Sequence, residues 1–186
     1  MGAFVGYSNS SQNLDDRGAR TKIDGIVAGL HSRWSGGGFG LKATIAYDGG
    51  SATTRRMVPG GDASGAYDLH GWMADLSADY GFDLGSSWQL RPSVGLTAIR
   101  AMREAVSESS TSAYRLDVAE RHDNAVFIDG GITLARAQDA NAKLRPFLSL
   151  GVREQVDGRS LYATGALGGG GFGLVGAGSD EHSARA

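Results

Sequence analysis

Ser179, Asp180, Glu181 and His182 bring together the residue types of a nucleophile, an orienter and a base. Adjacent residues cannot point at one another as such a triad requires, so this run reads as a solvated turn. Gly168, Gly170 and Gly173 match the spacing of a dinucleotide-binding loop. That loop needs a strand before it and a helix N-terminus after it to meet the pyrophosphate, and the sequence predicts neither. His31, His70, His122 and His182 lack ligand spacing such as paired histidines four apart, so no metal is expected and His31 reads as a polar interior residue. Glu104, Glu108, Asp117, Glu120 and Asp123 are interleaved with Arg100, Arg103, Arg115 and Arg121. Paired carboxylates can do acid and base work, but mixed charge in a long polar connector reads as solvated surface. No catalytic residue and no cofactor are assigned, and an enzyme is not expected.

The elements that would carry such residues are more informative than the residues. From Trp72 to Phe82, Trp72, Ala74, Leu76, Ala78, Tyr80 and Phe82 share one face, and Met73, Asp75, Ser77 and Asp79 share the other. This two-residue period predicts a strand with one apolar and one polar side. At about 3.3 Å per residue and a tilt near 40° it would rise roughly 25 Å, the height of an outer-membrane apolar band. From Trp88 to Ala98, Leu90, Pro92, Val94, Leu96 and Ala98 oppose Gln89, Arg91, Ser93 and Thr97. The pattern recurs over Phe39–Tyr47 with Lys42 on the polar side, over Val126–Ala135 with Asp129, and over Leu144–Arg153 with Arg145 and Arg153. Weaker stretches are Ala3–Ser8, Ile23–Trp34 and Gly171–Ala177. Eight strands are expected in all.

The connectors are expected to alternate between long (9–22, 49–66, 100–125, 155–170) and short (35–38, 83–87, 137–143). Tight turns on one side and long loops on the other, with aromatics near strand ends, are the sequence pattern of a transmembrane β-barrel. A turn centred near Gly85 would set Phe82 against Trp88 and Asp79 against Arg91, and a turn over Ser35–Gly38 would set His31 against Lys42.

The whole chain counts 186 residues with a net charge of -2, so one domain over 1–186 is expected and no nucleic-acid partner. The 30 glycines against 3 prolines fit closely packed, turn-rich β-structure. Cysteine is absent, which removes disulfide frameworks and thiolate metal sites and suits passage through an oxidising periplasm. No run reaches the roughly 18 apolar residues of a membrane helix. Met1 leads straight into Gly2-Ala3-Phe4-Val5-Gly6-Tyr7 with no signal-peptide pattern, so the sequence is read as a piece of an exported protein.

Ala3-Phe4-Val5-Gly6-Tyr7-Ser8 and Gly38-Phe39-Gly40-Leu41-Lys42-Ala43-Thr44-Ile45-Ala46-Tyr47 resemble successive strands of the β-domain of bacterial autotransporters, the type V secretion translocators. Leu90-Arg91-Pro92-Ser93-Val94-Gly95-Leu96 and Leu144-Arg145-Pro146-Phe147-Leu148-Ser149-Leu150 are similar to that family's strand starts with a proline just after the periplasmic turn. The order of segments carries the likeness more than any one motif. It implies an all-β antiparallel transmembrane barrel, here about eight strands of twelve, in the outer membrane of a Gram-negative bacterium. It implies export of an N-terminal passenger of the same polypeptide, with outer-membrane lipid and the barrel-assembly machinery as partners. In this reading Lys42, Asp75, Asp79, Arg91, Asp129, Arg145 and Arg153 line the lumen, whereas Trp72, Leu76, Tyr80, Phe82, Trp88 and Leu96 face lipid and form its aromatic girdle. The alternative is a small eight-stranded porin-like or adhesin-like barrel acting through its outer loops. An outer-membrane protease or lipase is a more distant third.

Overall fold

The computed structural model describes residues 1–14, 18–85, 87–136, 146–158, 161–167, 170–176 and 182–185, the last three segments by their backbone alone. It is all-β. The main antiparallel sheet contains β1 (Gly2–Leu14), β2 (Ala19–Gly36), β3 (Phe39–Val58), β4 (Gly61–Tyr80), β5 (Phe82–Asp83), β6 (Trp88–Arg103), β9 (Arg121–Arg136), β10 (Phe147–Asp157) and β13 (His182–Arg185). Their order is β1-β2-β3-β4-β6-β9-β10-β13, with β5 beside β6. A second sheet, in the order β12-β11-β8-β7, is built from β7 (Val106–Ser107), β8 (Leu116–Val118), β11 (Leu161–Leu167) and β12 (Gly170–Gly176). Among the described residues β1 pairs with β2 alone, so closure of the sheet into a ring is not seen.

The two-residue period decides which side of the sheet is inside. The buried residues of β3 (Gly40, Ala46, Ala52, Val58), β4 (Ala63, Gly65, Gly71) and β6 (Gly95, Thr97) all share the face of Asp79. The opposite face exposes Leu30, Ile45, Leu76, Val94, Leu96, Ile128, Ile132, Leu148 and Leu150. A water-soluble sandwich would bury that second set.

Strands run further than apolar alternation alone predicts. The expected long connector 49–66 is strand on both sides of a two-residue turn, Pro59–Gly60, with Val58 opposite Gly61. Gly60 has φ +89°, and proline followed by a glycine at positive φ is what a type II turn requires. β1 and β2 likewise continue to Leu14 and from Ala19, into the expected connector 9–22. The segment 100–125 contributes β7 and β8, and 155–170 contributes β11. Gly171–Ala177, expected as a strand of the main wall, falls instead on β12, which pairs with its sequence neighbour β11, while β13 lies beside β10. The expected short connector 137–143 lies outside the described residues.

Two hairpin registers differ from expectation by two residues. Gly36 is opposite Phe39 around Gly37 and Gly38, whose φ values of +59° and +83° suit a type I′ turn. Lys42 is therefore opposite Arg33, and His31 is opposite Thr44. At the next hairpin the Leu84 N–H donates to the Trp88 carbonyl at 2.9 Å, placing Phe82 against Leu90 and Asp79 against Ser93. A shift of two leaves every side chain on its own face; a shift of one would have inverted them.

Candidate functional site: the two faces of the sheet

Arg33 of β2, Asp79 of β4, Gln89 and Arg91 of β6 and Thr133 of β9 line one cavity of about 630 Å³. β2 and β9 are separated by three intervening strands, so the sheet must curl around this space and the face of Asp79 is concave. The charges expected on this face are distributed over it and not gathered into a centre. Asp79 is not opposite Arg91, but the guanidinium two residues along reaches it diagonally, Nε to Oδ2, at 3.4 Å. Arg91 also donates to the Gln89 side-chain oxygen at 3.2 Å. Asp75 accepts from the Thr97 hydroxyl at 2.8 Å. Asp129 is opposite Arg153 and accepts from it twice, at 2.6 and 3.0 Å, and the same guanidinium stands 5.5 Å from the Phe127 ring centroid. Lys42 and Arg33 are directly opposed like charges. Arg145 lies outside the described residues.

Glycine makes room for two of these carboxylates. A Cβ added at Gly40 would lie 2.7 Å from the Asp79 Oδ1, and one added at Gly71 would collide with the Asp48 carboxylate. Both pairs are direct cross-strand neighbours on the concave face. A sequence search for opposed charges misses them, because the residue that admits the acid carries no charge.

The convex face is built differently. Leu76 is flanked by Ala43 and Leu96, and Leu96 by Ile128. Rings gather toward both ends of this apolar field. Tyr47 and Trp72 pack at 4.7 Å between centroids, Tyr80 and Phe82 at 4.8 Å, and Trp34 and Phe39 at 5.9 Å. Trp88 stands at the start of β6 on the same side as Leu90. Nearer the strand ends at the Pro59–Gly60 turn, this face becomes polar, with Asn9, Asp24, Ser51 and Asp68 in one cross-strand row.

Part of the remaining candidate set falls beyond the described residues. Ser179, Asp180, Glu181 and Gly168 lie outside them. Gly170 and Gly173 belong to β12, a strand, where a dinucleotide loop would require a turn into a helix. Glu108, expected as solvated surface, is instead the one buried charged residue among the described residues, held by Arg56 at 2.7 Å. The cue for it is weak: an isolated Val106-Ser107-Glu108 alternation within a polar run.

The family model of the autotransporter beta-domain matches residues 1–186. Among solved structures the chain is similar to the translocator domain of autotransporter NalP from Neisseria meningitidis, with a TM-score of 0.64 and 17% sequence identity. The similarity covers 88% of this chain and 61% of that one, so the chain spans less than two thirds of the solved domain. No curated protein matches. With its antiparallel wall, concave polar face and convex apolar face, the chain belongs to the autotransporter β-domain family, a non-enzymatic family embedded in the outer membrane of Gram-negative bacteria.

Proposed function

We propose that this chain is the larger part of an outer-membrane wall through which an N-terminal passenger of the same polypeptide reaches the cell surface. The observation that carries the reading is the division of one curled sheet into two chemistries. Paired charges and hydroxyls cover the concave side, and exposed aliphatics fringed by rings cover the convex side. In hydrocarbon every backbone polar group must be paired within the sheet, and antiparallel strands that curl toward closure meet that need.

The convex residues Leu76, Tyr80, Trp72, Phe82, Trp88 and Leu96 then contact outer-membrane lipid. Lys42, Asp75, Asp79, Arg91, Asp129, Arg145 and Arg153 hydrate the lumen. Because Asp79 is paired with Arg91 and Asp129 with Arg153, the conduit carries cargo without gripping it. β3 and β4 are 20 residues each, about twice the 9–11 needed to cross a bilayer. Their shared tip therefore stands in water, with β7 and β8 packed against its concave side. Among the described residues the outer edge of β1 has no partner strand, which favours a wall completed by further strands over a closed eight-stranded barrel. Insertion falls to the barrel-assembly machinery.

The test is a reporter passenger fused upstream in the full-length parent. Protease added to intact cells should remove the reporter when residues 1–186 are present and leave it untouched in the periplasm when they are deleted. Equal surface exposure with and without this region would overturn the reading.

A further inference from the structure

Continuing the β4–β6 register past Leu69 and Arg103 sets Glu104 against Asp68, and the Glu104 N–H donates to the Asp68 carbonyl at 3.0 Å. Two carboxylates thus face each other across adjacent strands, an arrangement that like-charge repulsion disfavours. His70, two residues from Asp68 on the same face, brings its Nε2 to 3.9 Å from Glu104 Oε1. That is too long for a hydrogen bond. It matches two ligands of one ion, since bonds of about 2.0–2.2 Å hold donor atoms up to roughly 4.2 Å apart. One donor atom from each of Asp68, His70 and Glu104 lies within 4.8 Å of the others. In a tetrahedral site donor atoms stand about 3.4 Å apart, so the exposed Asp68 and Glu104 side chains must close by about 1 Å.

The imidazole is oriented from behind. Tyr47 Oη lies 2.9 Å from His70 Nδ1, and the two rings are stacked. A metal-bound histidine is ordinarily held in this way through its other nitrogen, which fixes both the tautomer and the ring plane. Arg100, the nearest arginine on this face of β6, is opposite Trp72, and among the described residues the His70 contact is the one ion pair of either carboxylate. Histidine spacing along the chain conceals the cluster, because its third member comes from the end of another strand.

We infer that Asp68, His70 and Glu104 form a binding site for a divalent first-row metal of the zinc type, on the convex face just beyond the aromatic pair Tyr47–Trp72. One imidazole and two carboxylates leave open positions for water or for an anionic group of the surroundings. The inference is independent of passenger export, and its readout does not involve display.

The test is Zn²⁺ titration of the purified full-length parent in detergent micelles, followed by calorimetry, with heat-modifiable gel mobility confirming a folded barrel. The parent should take up one Zn²⁺ that His70→Ala weakens at least tenfold. The near-isosteric Asp68→Asn and Glu104→Gln should each weaken it similarly, and Tyr47→Phe by a smaller factor. If His70→Ala fails to fold, the two amide variants decide. Zn²⁺ uptake that is absent from the folded parent, or unchanged in the folded variants, would overturn the site.

Discussion

Arg56 and Glu108 meet as a bidentate pair, with Nε and Nη2 each 2.7 Å from a carboxylate oxygen, although 52 residues separate them. The Glu108 side chain is 5% exposed and that of Arg56 29%. Glu108 also accepts from the Leu116 N–H at 2.7 Å, and Arg56 donates to the Tyr114 carbonyl at 2.7 Å. One ion pair therefore ties β7, β8 and the bend between them to the concave side of the β3–β4 tip. The hydrogen bond that Arg56 donates to Glu108, more than the carboxylate's charge alone, raises the Arg56 pKa above its ordinary value. A base with a raised folded pKa contributes stability that is complete below its unfolded pKa and lost only above the raised one. For a guanidinium that window covers all working pH.

Arg56→Ala should release this inner segment without dissolving the wall. It strands a buried carboxylate, which costs about 3–5 kcal/mol in a dry interior. Because Arg56 is nearly a third exposed, a local loss of about 1–3 kcal/mol is expected after solvent screening. Limited proteolysis of the folded parent should cut within 104–120 roughly 5- to 150-fold faster, the same loss written as a ratio, with unchanged heat-modifiable mobility. An unchanged cleavage rate would show that the pair does not hold the segment.

Gly40→Val should impair assembly through a residue on the neighbouring strand. The new side chain would occupy the place of the Asp79 carboxylate and pull it from Arg91. Asp79→Ala in the same chain should then restore part of the folded yield, since the two residues contend for one volume and couple non-additively. Band-shift assays on the single and double variants measure this, and additive losses would mean that the close approach is not what selects glycine.

Which side chains share a face was legible from the sequence because the strand period is two, and errors of two residues at the Gly37–Gly38 and Leu84–Trp88 hairpins left it intact. Strand length was not. Apolar alternation stops near Tyr47 and Trp72, where the convex face becomes polar, whereas the ladder runs on through Thr53, Thr54, Arg55 and Arg56 to the Pro59–Gly60 turn. Hydrogen bonding does not require apolar side chains, so hydropathy marks the apolar band and not the end of the strand. The Arg56–Glu108 and Asp68–His70–Glu104 groupings were illegible for another reason: each joins segments whose proximity depends on that unseen extension.

Expressed alone in detergent-free buffer, residues 1–186 should aggregate. Among the described residues β1 presents an unpaired edge along Gly2–Leu14, and the convex face exposes Leu76, Leu96, Ile132 and Leu150 by about half of their surface each. Water satisfies the edge, but the apolar face buries itself against other copies, and free strand edges template that association. Light scattering and size exclusion give the measurement. A monodisperse monomer without detergent would count decisively against a lipid-facing surface.

Leu76→Arg in the full-length parent should impair assembly far more than Ser77→Arg, although the two residues are neighbours on β4. Leu76 is half exposed on the convex face and lies between Ala43 and Leu96, near the middle of the apolar field. An arginine at bilayer mid-depth costs about 2–4 kcal/mol. Ser77 lies on the concave face between Lys42 and Gly95 and is itself partly exposed, so a long side chain there reaches water. Depth is the same for both positions, so the comparison isolates facing. Heat-modifiable mobility and surface display of a reporter passenger should fall together for Leu76→Arg and stay near the parental level for Ser77→Arg. Equal tolerance of both would mean that the convex face meets no membrane, and the opposite order that lipid and lumen sides are exchanged.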